Sequence, residues 1–350
     1  MALLKRFDAK RLKTRLRRSR AGSKFVITVP YLWLLVFFLI PFVIVLKISF
    51  ADQAVKIPPY TDLVSYDPDM GETTVRLAFY NYQALAEDLW QTLKGELNPF
   101  NLIASITPQG VGDWFYQMGW LSEQGQNIQV RAYVSSFFTA ALTTLFCLLL
   151  GYPMAYGIAQ ASPARRNVLL LAVMIPFWTS LLLRVYAWMG LLSQNGLINN
   201  FLRSIGLQPL DLFYNTFSLL LIMTYAYLPF MVLPLCSDIM KLDRRLLEAA
   251  GDLGARPLTA FWRVTLPMTK AGIISGSMLV FIPCVGEFVI PDLVAGPGNL
   301  MVGKVLWNAF FDQYDWPQAS SIAVVMIALL VLPIGLYNRY ETRHLAKEGR

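Results

Sequence analysis

The chain has 350 residues, 56% of them hydrophobic and only 15% charged, with a formal net charge of +8. That is too apolar for a soluble globule of this length, and no folded basic surface of the kind that grips nucleic acid is evident. Cys147, Cys236 and Cys284 all fall in apolar segments without disulfide or metal-ligand spacing, and the sole histidine, His344, lies in a polar tail, which excludes a His-based metal site or a Ser-His-Asp triad inside the membrane.

A helix crosses a bilayer with roughly 20 apolar residues, and six segments qualify, at about 28–50, 132–158, 168–192, 214–236, 271–295 and 318–338. Strands alone cannot satisfy their backbone in lipid, so an all-α membrane protein with six transmembrane helices is expected. The ten-residue alternation of an outer-membrane barrel is absent. Residues 1–27 form a basic tail whose charged region is too long for a cleavable signal, so 28–50, with Pro30 and Pro41, reads as a retained first helix. Residues 51–130 lie outside the membrane, and aromatic pieces such as Asp113-Trp114-Phe115-Tyr116 suggest amphipathic helices on the membrane rim or on a partner, or else a folded cap. Residues 131–340 hold the other five spans, and 341–350 are a second tail.

Between the fourth and fifth spans comes 238–270, a stretch that holds Asp238, Lys241, Asp243, Arg244, Arg245, Glu248, Asp252, Arg256 and Arg263. Each charge costs roughly 2.5–3.5 kcal/mol near the bilayer centre, so this stretch does not span. It is nevertheless patterned. Leu242, Leu246, Leu247, Ala250 and Leu253 recur at helical spacing. Gly254 is placed to end that helix in a left-handed turn, Pro257 to open a second, and Pro267 to close it. The prediction is a helical hairpin held in water and offered to another protein.

Lys and Arg are concentrated in the N-terminal tail, at Arg165 and Arg166, in 238–270 and after Leu336, which together hold 22 of the 30. That bias puts these segments and both termini in the cytoplasm. The basic tail is also suited to anionic lipid headgroups. No glycine-rich phosphate loop appears, so this chain is not itself expected to bind ATP.

Glu248-Ala249-Ala250, three residues, Gly254, nine residues, then Val264-Thr265-Leu266-Pro267 resembles the EAA signature of permease subunits of bacterial ABC importers. IPPYTDL at 57–63, PFWTSLLLRVYAWMGLL at 176–192, YAYLPFMVLPL at 225–235 and GSMLVFIPCVGEFVIPDLVAGP at 276–297 resemble the polyamine branch of that family. The resemblance implies the type I ABC importer permease fold, five core helices plus an N-terminal one. It implies a multi-pass protein of the bacterial inner membrane that is not an enzyme and carries no cofactor or metal. Its implied partners are a second permease subunit in a heterodimer, a dimer of cytoplasmic ATP-binding subunits and a periplasmic substrate-binding protein. The implied solute is putrescine, with spermidine or another small cation as alternatives. Glu248, Ala249, Ala250, Gly254, Leu266 and Pro267 would then couple the chain to the ATPase. Members of this family have a shorter segment after the first helix, which marks about 96–128 as an insertion.

A dication crossing a membrane needs carboxylates or aromatic faces in place of water. Glu287 lies 17 residues past Lys270, roughly 25 Å into the fifth span at 1.5 Å per residue, and Asp292 follows near its outer end. Pro283, Gly286 and Pro291 around them suggest a broken helix. Trp178, Tyr186, Trp188, Tyr225 and Tyr227 are the aromatic candidates, with Trp178 and Tyr227 near mid-span. Arg184 lies at a similar depth, and an ion pair with Glu287 or Asp292 is the simplest expectation for it. An intramembrane enzyme would need more clustered carboxylates than these, and an ion-coupled carrier would want internal repeats and no docking hairpin.

Overall fold

Apolar helices in lipid gain little by burying apolar surface against each other, so they associate where small side chains let backbones come close. In the computed structural model, which describes residues 28–67, 72–91, 128–296 and 299–348, helix α3 (Ile128–Gln160) carries such a seam. Ala132, Ser136, Ala140, Thr143, Cys147 and Ala155 follow one another at helical spacing and all are buried. Gly151 continues the seam; a Cβ there would lie 3.1 Å from Met231 Cγ. The tail 1–27 and nearly all of the expected insertion lie outside the described residues.

Two units make up the described chain, one comprising 28–81 with 314–327 and the other 82–313 with 328–348. In the first, α1 (Thr28–Ile48) is exposed over most of its length and half-exposed toward its end. It leads to an antiparallel hairpin of β1 (Val64–Asp67) and β2 (Glu72–Val75), which with a single bridge between Gln53 and Tyr60 departs from all-helical structure among the described residues. Helix α2 (Tyr80–Gln91) begins at the end of this unit and runs into the second.

The second unit is built on three helices: α3, α7 (Thr216–Met240) and α10 (Lys270–Val285). Leu219, Ile222, Met223, Met231 and Leu235 of α7 are fully buried between them. Gly272 and Gly276 give α10 its own small face: added Cβ atoms would come within 2.9 Å of Asp238 Cβ and of Met231 Sδ. Asn215 caps α7, accepting from Ser218 N at 3.0 Å, and Ser218 Oγ donates to Val294 O at 2.8 Å. All three cysteines are free and buried among these helices.

α1, α3 and α7 are each long and apolar enough to cross a membrane unbroken. The third expected span is a bent pair, and a second bend lies where the hairpin meets the fifth. Helix α4 (Pro163–Met174) runs through a tight turn at Ile175–Trp178, and this arm meets the run Leu181–Ser204, which opens with α5 (Leu181–Leu192), at 91°. Thr179 and Ser180 at the corner are extended, and Thr179 Oγ1 satisfies the Pro176 carbonyl at 2.8 Å. Trp178, expected mid-span, therefore sits at a corner. A short α6 (Leu197–Ser204) leads on to α7.

α8 (Arg244–Asp252) and α9 (Pro257–Met268) are the two arms of the expected hairpin. Pro267 does not close the second arm. It lies inside α9, just after a widened stretch at Phe261–Thr265 that loosens the backbone pattern. The break comes at Thr269, where α9 meets α10 at 66°. α10 ends at Val285, Gly286 to Phe288 interrupt it, and α11 (Val289–Val294) resumes, as the Gly and Pro content led one to expect. α12 (Val302–Trp307) returns against this break, with Gly303 so close that a Cβ would stand 2.6 Å from Gly286 O. The last helix, α13 (Trp316–Glu348), has its apolar part at Trp316–Val331.

Candidate coupling surface and translocation path

The hairpin is shaped by its capping groups. Asp243 caps α8, its carboxylate accepting from Arg245 N at 3.0 Å. At the other end Ala255 N donates to Ala250 O at 3.0 Å and Gly254 N to Gly251 O at 2.8 Å. These are the two bonds of a Schellman turn, and they require the left-handed φ of +78° that Gly254 adopts. Glu248 and Ala249 are exposed on α8. Leu246, Leu253, Leu258 and Trp262 are exposed too, Leu253 to 89%. Ala250, Gly254, Arg256, Thr259 and Arg263 line an open groove of about 610 Å³ between the arms. An exposed carboxylate, two small residues, bare apolar side chains and a groove with two arginines together make a surface built to be covered. Leu266 and Pro267 lie at the root, not on this face. Beside them Thr269 Oγ1 donates to Thr265 O at 3.0 Å and pairs with Tyr152 OH at 2.9 Å, both threonines being buried. This lock between α3 and the bend escaped the sequence reading. Its only signal was two threonines at i, i+4 flanking a proline.

In the membrane region the structure joins two of the predicted residues directly. Tyr227 OH donates to Glu287 Oε2, and Glu287 Oε1 accepts from the backbone N–H of Val289 at 3.0 Å and of Ile290 at 3.5 Å. Glu287 therefore pins the start of α11 across the break in the fifth span and ties it to α7. An acceptor with no ammonium or guanidinium partner still has lone pairs free for a cationic ligand.

The ion pair expected for Arg184 does not form. Asp292 pairs instead with Lys304 at 3.0 Å, bridging α11 and α12, and Glu287 is held by Tyr227 and the two amides. Arg184 Nε and Nη1 are buried without a hydrogen-bond partner, and the guanidinium lies over the Phe177 ring at 5.8 Å. The third-span corner sets this arrangement by folding Phe177 back alongside α5. Phe177 meets Phe230 edge-on at 4.8 Å, and Phe230 lies 6.0 Å from Tyr227. Three rings thus separate the guanidinium from the carboxylate. Phe177 and Phe230 were not singled out from sequence, since a phenylalanine in an apolar run carries no distinguishing signal.

The remaining aromatic candidates divide. Trp188 and Tyr225 meet edge-on at 5.5 Å, and Tyr225 lines a groove of about 510 Å³ with Pro153, Gly157, Val173 and Pro229. Trp178 and Tyr186 are exposed, at 79% and 54%, and neither joins the ring chain.

Residues 149–345 match the family described as binding-protein-dependent transport system inner membrane component. The chain belongs to that family. It is an inner-membrane transport permease and not an enzyme. It is 39% identical over 207 residues to the spermidine/putrescine transport system permease protein PotB of Haemophilus influenzae, spanning 59% of this chain and 72% of that one. The PotB of Escherichia coli K12 is also 39% identical, over 57% of this chain and 74% of its own length. The molybdenum transport system permease protein ModB of Mycobacterium bovis is 32% identical over 58% of this chain and 78% of its own. Among solved structures, a chain of a bacterial ABC transporter that imports the acidic polysaccharide alginate superposes with a TM-score of 0.58 at 16% identity, covering 95% of this chain and 99% of that one. The fold is therefore that of an ABC importer permease.

Proposed function

We propose that this permease carries a polyamine from periplasm to cytoplasm by alternating access, with putrescine as its principal solute and spermidine as the alternative. The single observation that supports the solute is the 39% identity to the PotB permeases over more than 200 residues. The pairing of Tyr227 with Glu287 agrees with it, since a phenol face and a carboxylate are what an ammonium exchanges for water. The working unit is a heterodimer with a second permease, fed by a periplasmic binding protein and driven by a pair of ATP-binding subunits. Both termini and the hairpin lie in the cytoplasm, six helical segments cross the membrane, and the 131–340 core does the transport. The exposed face around Glu248, Ala249 and Leu253 docks on the ATPase, and closure of the ATPase pair moves it. The rigid turn at Gly254 carries that motion into α9 and, through Thr269, into α10.

The test is uptake of labelled putrescine and spermidine by a strain lacking its own amine importers, with the whole system supplied. ATP-dependent accumulation of either amine is expected. Accumulation of neither, or accumulation without the ATPase, overturns the proposal.

A further inference from the structure

We propose that Arg184 is a specificity-determining residue that favours short diamines over longer triamines by opposing the charge at the far end of the solute. The inference rests on the polyamine reading above. Arg184 and Glu287 stand at opposite ends of one lane of rings, Phe177, Phe230 and Tyr227. Among the described residues no opposite charge pairs with either. The described residues offer Arg184 no carboxylate within ion-pair distance, and no cation pairs with Glu287.

A guanidinium keeps its charge, and in a region of low dielectric that charge acts over a distance far greater than a contact. A solute with one ammonium at Glu287 and Tyr227 extends its remaining amines along the ring faces. A short diamine places one further charge on the lane. A triamine places two and brings the outer one closer to Arg184. With an effective dielectric of about 20 and a separation of roughly 10 Å, one additional positive charge costs on the order of a tenfold loss in occupancy. The rings attract either amine alike, so the distinction falls to the arginine.

The experiment is paired uptake of putrescine and spermidine with the same binding protein and ATPase. The chain is compared as wild type, as Arg184→Gln, as Arg184→Lys and as Trp178→Glu. A shared binding protein makes its own selectivity cancel when the spermidine-to-putrescine ratio of each variant is divided by that of the wild type. Arg184→Gln is expected to raise the ratio about tenfold, and Arg184→Lys to leave it within twofold. Trp178 is exposed at the corner one residue after Phe177, so Trp178→Glu supplies a counter-charge with the arginine intact. It is expected to move the ratio upward as well, and it keeps the test open if Arg184→Gln does not reach the membrane. An unchanged ratio in the variants that reach the membrane overturns the inference and leaves Arg184 to a counter-charge on another subunit. Wild-type cells that take up neither amine overturn the polyamine reading along with it.

Discussion

Replacing Gly254 separates the conformational demand of the hairpin from every packing effect. A Cβ at this position meets no atom within 4 Å, so the cost of a side chain comes from φ alone. At +78° an L-residue pays about 1–2 kcal/mol, and a β-branched residue reaches about 1–3 kcal/mol. If the turn relaxes instead, the bonds from Ala255 N and Gly254 N are lost and α8 swings away from α9. At 1.4 kcal/mol per factor of ten, Gly254→Val lowers the fraction of hairpins in docking geometry by roughly five- to a hundredfold. Gly254→Ala should fall between, and Gly254→Asn should stay closest to wild type, because asparagine tolerates this region best. Gly251 is the control. It also has open space at Cβ but no positive φ, so Gly251→Ala should couple normally. The assay is solute moved per ATP hydrolysed in proteoliposomes, alongside quantified membrane insertion. Normal coupling in Gly254→Val, or equal loss in Gly251→Ala, would refute the argument that left-handed geometry at this turn transmits the motion.

Three other substitutions have calculable outcomes. Gly276→Val drives a branched side chain against Met231, where even a Cβ stands 2.9 Å from Sδ and 3.2 Å from the carbonyl, so detergent-solubilised protein should lose about 1–3 kcal/mol in thermal unfolding. Tyr227→Phe removes a hydrogen bond to a carboxylate, worth about 1.5–3 kcal/mol; uptake should fall while expression holds, and unchanged uptake would detach Tyr227 from the path. Lys304→Met, by contrast, breaks a pair whose side chains are 32% and 55% exposed, so the stability change should stay under about 1 kcal/mol, and a larger loss by thermal unfolding would show a deeper role for Asp292.

The hairpin was legible because its determinants are local. Asp243, Gly254 and Pro257 act within four residues of themselves, and charge alone kept the stretch out of the membrane. Glu287 was legible because a carboxylate in an apolar run has no bland explanation. Its partners were not, because Tyr227 lies 60 residues away, and the ion pair first expected for Arg184 fell to a competing lysine, Lys304, that sequence depth could not place. The bend at Thr179 was hidden in a segment that reads as one straight apolar span, and the one at Thr269 at the boundary between the charged hairpin and the next span.

The amino-acid sequence by itself determined that this chain is helical, membrane-embedded and fitted with a charged helical hairpin, since hydrophobicity, charge and turn geometry are read residue by residue. Only the tertiary structure decided which charges meet and which stay apart. Coulomb energy and ring contact depend on distance in space, and bends of 91° and 66° bring together what the linear order separates.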